Sequence, residues 1–331
     1  MNPGTSTTDT LQVLLSSVQS DLDQVEAWLE QRMLGGPAAL APLLQYVARF
    51  RGKRLRAAYV LMIAKACGGV RPEHIEVAGI VEMIHAATLI HDDLLDEAVQ
   101  RRQLDCVHVE WGPHTAVLLG DWVYSQAFLA STHMADQECS RVLAAATSRV
   151  CEGEMFQNLT RCNFHLNESD YFLQVDGKTA ALFEAGGQLA AYYAKASKVQ
   201  QSAAARHGLL SGRAFQVVDD LLDIEGDETQ VGKSLGTDWA HGKMTLPIIR
   251  LRESLPTAAR KSLEQSFQSD SSREDLRTGP FADALARAVC VCRTDIDAML
   301  EEAASQLDVL PERSIAAELS QLTRFLGQRN R

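Results

Sequence analysis

Proline is scarce in these 331 residues, at nine, and no stretch alternates apolar and polar positions between turn clusters as a strand does. That excludes a sheet-based architecture and leaves helix, which the abundant alanine and leucine favour. No apolar run reaches the roughly 18 residues a spanning helix needs. Residues 1–10 lack a basic region followed by an apolar core, so no signal peptide is expected either. The seven cysteines are odd in number and scattered, and Cys290 and Cys292 form a lone Cys-x-Cys with no second pair and no histidine partner. A zinc site and a disulfide framework are thereby excluded, and the thiols read as those of a reduced, cytoplasmic protein. Basic charge is also in deficit. A formal net charge of −11 excludes a general nucleic-acid binder. It leaves phosphate ligands open, because clustered carboxylates reverse their local sign on binding metal.

Length alone suggests about two domains, but 46% hydrophobic residues suffice for one large helical core. We expect a single all-α domain over 1–331, with an N-terminal helix within 1–36 and a polar connection at 269–280. Leu11, Leu14, Val18, Leu22, Val25 and Leu29 recur at helical spacing, and Gly35-Gly36-Pro37 ends that helix. A second helix runs to about residue 50, and a third spans 55–67 before Gly68-Gly69. Pro72 then opens a long one through residue 96. Further helices are expected at 115–134, 140–159, 171–196 and 201–224. A loop bearing glycine and lysine follows over 225–243, with helices again at 246–253, 257–268, 281–307 and 315–326.

One string occurs twice: Asp-Asp-Leu-Leu-Asp, at residues 92–96 and 219–223, each time at a helix C-terminus. Residues i and i+4 share a helix face, so Asp92 stacks with Asp96 and Asp219 with Asp223. Like charges there repel each other and the negative end of the helix dipole. Solvated acidic turns are the bland alternative, and recurrence of the whole string argues against it. Two such clusters facing each other would form an oxygen-lined site suited to Mg²⁺ carrying phosphate oxygens.

Residues suited to phosphate surround both strings. Lys53 and Arg56 share a helical face beside Gly52, His85 lies two turns before Asp92, and Arg101 and Arg102 follow the first string. Gln216 precedes Asp219 by three residues, and Lys178-Thr179 interrupts an otherwise Ala/Leu/Gly helix. Lys233 and Lys243 lie in the loop and could close over phosphates. Taken singly, each cation reads equally well as solvated surface, and His85 as a core histidine. Gly177-Lys178-Thr179 is no Walker loop, since the upstream glycine and a preceding strand are missing.

In order and spacing, GKRLR, IHAATLIHDDLLDEAVQRR, WGPHTAVLLGD, KTA, AFQVVDDLLD and GKSLGTDWAHGKMTLP resemble the motifs of the trans-isoprenyl diphosphate synthases, or polyprenyl synthetases. The resemblance covers roughly residues 40–250 and is greatest to the long-chain heptaprenyl and octaprenyl members. Ala57 stands where the family usually has proline, and Gln103-Leu104-Asp105 replaces the usual glycine and its neighbours. Neither departure removes a ligand.

The resemblance implies an antiparallel helix bundle around a deep central cavity, a homodimer, and a head-to-tail (1'-4) condensation of isopentenyl diphosphate with an allylic prenyl diphosphate. Asp92 and Asp96 would coordinate two Mg²⁺ ions and Asp219 a third, with Asp93, Asp220 and Asp223 completing the acidic set. Arg101, Lys178, Thr179, Gln216, Lys233 and Lys243 would serve the allylic diphosphate. Lys53, Arg56, His85 and Arg102 would bind isopentenyl diphosphate. Chain length would be set at Ile84, Ala87 and Thr88, where no aromatic blocks the channel, so a long-chain product is expected. Geranylgeranyl or farnesyl synthesis is the alternative within the family. A class I terpene cyclase would lack Lys53, Arg56 and His85, and a non-catalytic partner subunit should have lost an acidic string.

Overall fold

The structure, a computed structural model, describes residues 7–49, 52–101, 104–226, 236–269 and 273–327. Among them the only paired strands are Gln100–Arg101 (β1) and Leu104–Asp105 (β2), antiparallel and two residues each; the fold is all-α. The chain gathers into two compact units. One comprises Met1–Ala144, Ala185–Ala205 and Asp308–Leu322, the other Ala145–Glu184, Arg206–Leu307 and Thr323–Arg331.

In the first unit, α1 (Thr7–Leu15) and α2 (Gln19–Leu34) replace the one helix the spacing predicts. A 3-10 turn, Ser16–Val18, parts them, and Ser16 turns its hydroxyl back onto the Val13 carbonyl at 2.7 Å. Such back-bonding by serine competes with regular helix. The apolar spacing survives the break, and Leu11, Val18, Leu22, Val25 and Leu29 are all buried. After α3 (Ala41–Ala48), α4 (Leu55–Ala66) buries nine of its twelve residues. A helix apolar all round belongs in the core.

Next comes α5 (Pro72–Leu95), with proline in its first turn, where no N–H is missed. Arg71 N–H donates to His74 Nδ1 at 2.8 Å, so the other ring nitrogen carries the proton and donates to the Ala190 carbonyl at 3.0 Å. The unit continues through α6 (Val107–Trp111) and α7 (Pro113–Thr132) into the start of α8 (Glu138–Leu159). Where α5 meets α7, a Cβ on Gly120 would sit 2.2 Å from the His91 ring, so any larger residue requires that ring to move.

The second unit takes in the rest of α8, then α9 (Glu168–Val175), a π-helical turn (Asp176–Ala180), and the first residues of α10 (Ala181–Tyr193). Most of α11 (Lys198–Glu225) follows, with α12 (Thr237–Ala240), α13 (Leu246–Ser254), α14 (Thr257–Phe267) and α15 (Arg273–Thr278). The chain ends in α16 (Ala282–Gln306) and α17 (Arg313–Gly327). The short helices α12 and α15 fall inside stretches whose polar composition predicts only loop. One apolar cluster joins Val217, Leu221, Trp239, Leu246, Ile249 and Leu285. Trp239 meets Phe267 edge-on at 5.0 Å between centroids, which secures α12 to α14. No helix among the described residues is long and apolar enough to cross a membrane. All seven cysteines are outside disulfides.

His207 on α11 is fully buried, and burial pushes its imidazole from 6.5 down to about 3. The folded chain keeps it neutral while the unfolded chain protonates it below 6.5. Stability is therefore lost as pH falls from about 6.5 toward 3, at about 1.4 kcal/mol per pH unit from this group. Urea denaturation at pH 7.0, 6.0 and 5.0 should show a slope that His207→Leu reduces by that amount. Parallel pH dependences for the two proteins would contradict it.

Candidate active site

Helices α5 and α11 each end in a copy of the acidic string. A helix C-terminus already carries unpaired carbonyls and about half a negative charge, so added carboxylates need donors or solvent. The structure sorts the six side chains into two classes. Asp93, Asp220 and Asp223 are buried, at 6%, 3% and 3% exposure, whereas Asp92, Asp96 and Asp219 are half-buried.

Each buried member has its own donors. In the first unit Arg101 on β1 lays its guanidinium on Asp93, with Nε 2.8 Å from both oxygens and Nη2 2.5 Å from Oδ1. This forked, charge-assisted geometry is the strong form of the ion pair. Burial, then the Asp93 charge and a hydrogen bond to it, push the Cys106 thiol up to about 12. It therefore stays protonated as a further donor. Asp93 and Arg101 form one end of a cavity of about 70 Å³, whose walls include Leu29, Met33, Met83 and Ile90. Arg54 and Glu82 also line it.

In the second unit the Tyr171 hydroxyl on α9 donates to Asp220 Oδ2 at 2.5 Å, and the Gln216 amide donates to Oδ1 at 2.9 Å. Burial, then the charge of Asp238, push the Asp220 carboxyl upward, and these two donors pull it back. Burial, then the Asp220 charge, raise the Tyr171 phenol well above its ordinary range, so it remains a donor. Asp223 works differently. It takes the backbone N–H groups of Thr237 at 3.2 Å and Asp238 at 3.1 Å, plus the Thr237 hydroxyl at 3.2 Å. It thereby caps the N-terminus of α12 from another helix.

A cavity of about 80 Å³ opens beside Asp220. Lys178, Thr179, Gln216, Lys243, Gln157 and Arg161 all line it. The Thr179 hydroxyl donates to the Gln216 side-chain carbonyl at 2.7 Å. Lys178 sits between Glu154 at 2.6 Å and Gln157 at 2.9 Å, both on α8. The π-helical turn that carries Lys178 and Thr179 widens the helix by one residue, a deformation common at functional sites. Two glycines let α8 reach it: a Cβ on Gly153 would lie 2.6 Å from Lys178 N, and one on Gly177 would lie 2.5 Å from the Arg149 carbonyl.

The remaining expected residues fall as follows. Lys53 is exposed and precedes α4, because Arg54 adopts a left-handed backbone (φ 49°) as its guanidinium reaches Glu26 at 2.5 Å. The helical face expected to join Lys53 and Arg56 is therefore not formed, and Arg56 lies half-buried on α4 alone. His85 and Thr88 are half-buried on α5, and Ile84 and Ala87 are buried. None of these four lines the α5 cavity, whose α5 wall is Glu82, Met83, Ala86, Leu89, Ile90 and Asp93. Lys243 is half-buried, 3.6 Å from Asp238. Arg102 and Lys233 lie outside the described residues. Sequence reasoning overlooked Glu154, Gln157, Arg161 and Tyr171. The Glu154/Gln157 pair had a legible signal, an i, i+3 polar pair following Gly153 on an amphipathic helix.

Among the described residues no three His, Cys, Asp or Glu side chains converge into a ready metal cage. Mg²⁺ does not require one, since it keeps several waters and binds through one or two carboxylates together with substrate phosphates. Half-buried oxygen donors in i, i+4 register, as at Asp92 and Asp96, fit that ion.

The all-helical fold, the duplicated acidic string and the lysine-lined cavity together define a diphosphate-handling helical enzyme class. Residues 37–278 match the polyprenyl synthetase family, and the chain belongs to it. It is 28% identical to octaprenyl diphosphate synthase of Escherichia coli, over 94% of this chain and 96% of the other. Against octaprenyl diphosphate synthase of Haemophilus influenzae it is 31% identical, over 86% and 87%. The crystal structure of a decaprenyl diphosphate synthase from Rhodobacter capsulatus superposes with a TM-score of 0.86 at 29% identity, covering 97% of this chain and 99% of that one.

The glycine pair makes a stability prediction. Gly153→Ala puts a methyl against backbone that cannot rotate away, and overpacking of this kind costs about 1–3 kcal/mol. Guanidinium denaturation should show a loss of that size. An unchanged midpoint would mean that α8 and the π-helical turn do not touch.

Proposed function

We propose that this chain condenses isopentenyl diphosphate with an allylic prenyl diphosphate and releases a long-chain all-trans polyprenyl diphosphate. One observation carries the reading. Both acidic strings bury and hydrogen-bond their supporting aspartates while Asp92, Asp96 and Asp219 stay half-buried. In this reading Asp92 and Asp96 hold two Mg²⁺ ions and Asp219 a third, and bound metal supplies charge neutralisation at the diphosphate oxygens. Lys178 and Lys243 hold the allylic diphosphate, joined by Arg101 and Lys233. Lys53, Arg56, His85 and Arg102 hold isopentenyl diphosphate.

The allylic C1–O bond breaks and its electron pair leaves with diphosphate, stabilised by these preorganised cations. Carbon 4 of isopentenyl diphosphate attacks C1 with its double-bond electrons. The released diphosphate takes the C2 proton of the resulting cation, restoring a double bond. The oxygens of Thr179 and Gln216 are neutral, so they face the allylic cation without capturing it.

The reading extends to a homodimer in the cytoplasm. Helix α7 carries Leu118, 68% exposed, and Leu129 on one face, an apolar row suited to a second copy. The thiols, none in a disulfide, suit a reducing compartment.

The purified chain, given isopentenyl diphosphate, farnesyl diphosphate and Mg²⁺, should turn over without a partner subunit. Asp92→Ala should lose several kcal/mol of leaving-group stabilisation, a rate loss of roughly a thousandfold or more, with its fold intact. Near-normal turnover in that variant would sink the metal assignment.

Product length follows from α5. The product should lie well beyond farnesyl, with octaprenyl favoured over geranylgeranyl. Ala87→Phe should shorten it toward farnesyl while turnover persists, as read by chromatography of the dephosphorylated products. An unchanged product ladder would remove Ala87 from the channel.

A further inference from the structure

We propose that Tyr171 is a positioning residue for the prenyl-transfer reaction, acting through Asp220 and Gln216 to aim the oxygen lone pairs of Gln216 and Thr179 into the cavity they line. The inference rests on the reading of the chain as a prenyltransferase and goes beyond it, because Tyr171 is remote in sequence from both acidic strings.

Four side chains form an unbroken hydrogen-bond chain. The Tyr171 hydroxyl donates to Asp220 Oδ2 at 2.5 Å, Gln216 Nε2 donates to Asp220 Oδ1 at 2.9 Å, and Thr179 Oγ1 donates to Gln216 Oε1 at 2.7 Å. Each link fixes the next. Asp220 Oδ1 accepts from the Gln216 amide and so faces its NH₂ end. The amide carbonyl then faces Thr179, whose only proton is spent on it. What remains are lone pairs: two on Thr179 Oγ1 and a second one on Gln216 Oε1. Both residues line the cavity together with Lys178.

Oxygen lone pairs held in place before the reaction stabilise a carbocation as it forms, with no reorganisation at that moment. An amide rotated by half a turn would instead present NH₂ donors and a hydroxyl proton, which repel positive charge. Two features keep the anchor in place. Tyr171 and Asp220 are buried at 4% and 3% exposure. The phenol is fixed in the apolar cluster that also holds Val217 and Leu221, the residues that directly follow Gln216 and Asp220.

Tyr171→Phe keeps the ring and removes only the hydroxyl. Asp220 then loses one of its two donors, and the Gln216 amide is held less firmly in its sense. Steady-state kinetics of the full-length chain with isopentenyl diphosphate, farnesyl diphosphate and Mg²⁺ should show kcat reduced tenfold or more, with both KM values within twofold. Binding to the diphosphates is not what the tyrosine controls. The decisive readout is coupling. Thr179→Val should lower kcat by itself, and Tyr171→Phe added to it should lower kcat by no more than a further twofold, since the group being aimed is gone.

Circular dichroism and the melting temperature establish that each variant is folded. If Tyr171→Phe does not fold, Asp220→Asn takes its place: its amide can offer Gln216 either a donor or an acceptor, which removes the fixed sense, and the same lack of additivity with Thr179→Val is expected. Multiplicative losses in the double variant overturn the positioning role, as does an unchanged kcat in Tyr171→Phe. A wild-type chain inert with both diphosphates overturns the prenyltransferase reading itself and the positioning role with it, so the two failures are told apart.

Discussion

Three carboxylates buried near the C-terminal ends of helices are the constraint on which the architecture around both acidic strings depends. An unpaired buried carboxylate costs several kcal/mol, and the helix dipole adds to that at this end. The fold meets the cost with a separate device for each. Asp93 receives a guanidinium, Asp220 a phenol and an amide, and Asp223 the N-terminus of a short helix. Elements otherwise hard to account for follow from this. The two-residue ladder β1–β2 holds Arg101 in place, and α12, only four residues long, presents its N–H groups to Asp223.

The close approach of α8 to the π-helical turn is the second determinant. Gly153 and Gly177 lie back to back, their Cα atoms so near that a Cβ on either would fall about 3.0 Å from the other residue's Cα. Contact at that range brings Glu154 and Gln157 within reach of Lys178. A lysine carried by an unpaired four-carbon stem loses much rotamer entropy on binding a ligand. Here part of that ordering is already complete, with the ammonium held between an acid and an amide at the rim of the cavity.

Helix positions were largely legible because glycine and proline punctuate this chain at true boundaries: Gly35-Gly36-Pro37, Gly68-Gly69 and Pro72 all close or open helices where expected. The departures have local causes that apolar spacing does not encode. Ser16 breaks the first helix through its own hydroxyl, and Lys178 and Thr179 sit on a π-helical turn set by a glycine contact. Lys53 is parted from Arg56 because Arg54 is drawn out of helical geometry toward Glu26. The six aspartates were legible by repetition alone. Which of them are buried was not, since burial depends on partners as far off as Tyr171, 49 residues from Asp220.

Identical strings are thus not identical sites. At the first, the middle aspartate is neutralised by a full positive charge, so that end of α5 gains about one unit of compensation. At the second, the donors on the two buried aspartates include a phenol, an amide, a hydroxyl and two backbone N–H groups. Burial, then the charge of Asp238, push the Asp220 carboxyl upward, so the same string has a different electrostatic setting at each helix end. Cations at the second string's cavity, Lys178 and Lys243, sit on acidic partners of their own, Glu154 and Asp238. A diphosphate bound in that cavity would have to compete with Glu154 and Asp238 for those same lysines.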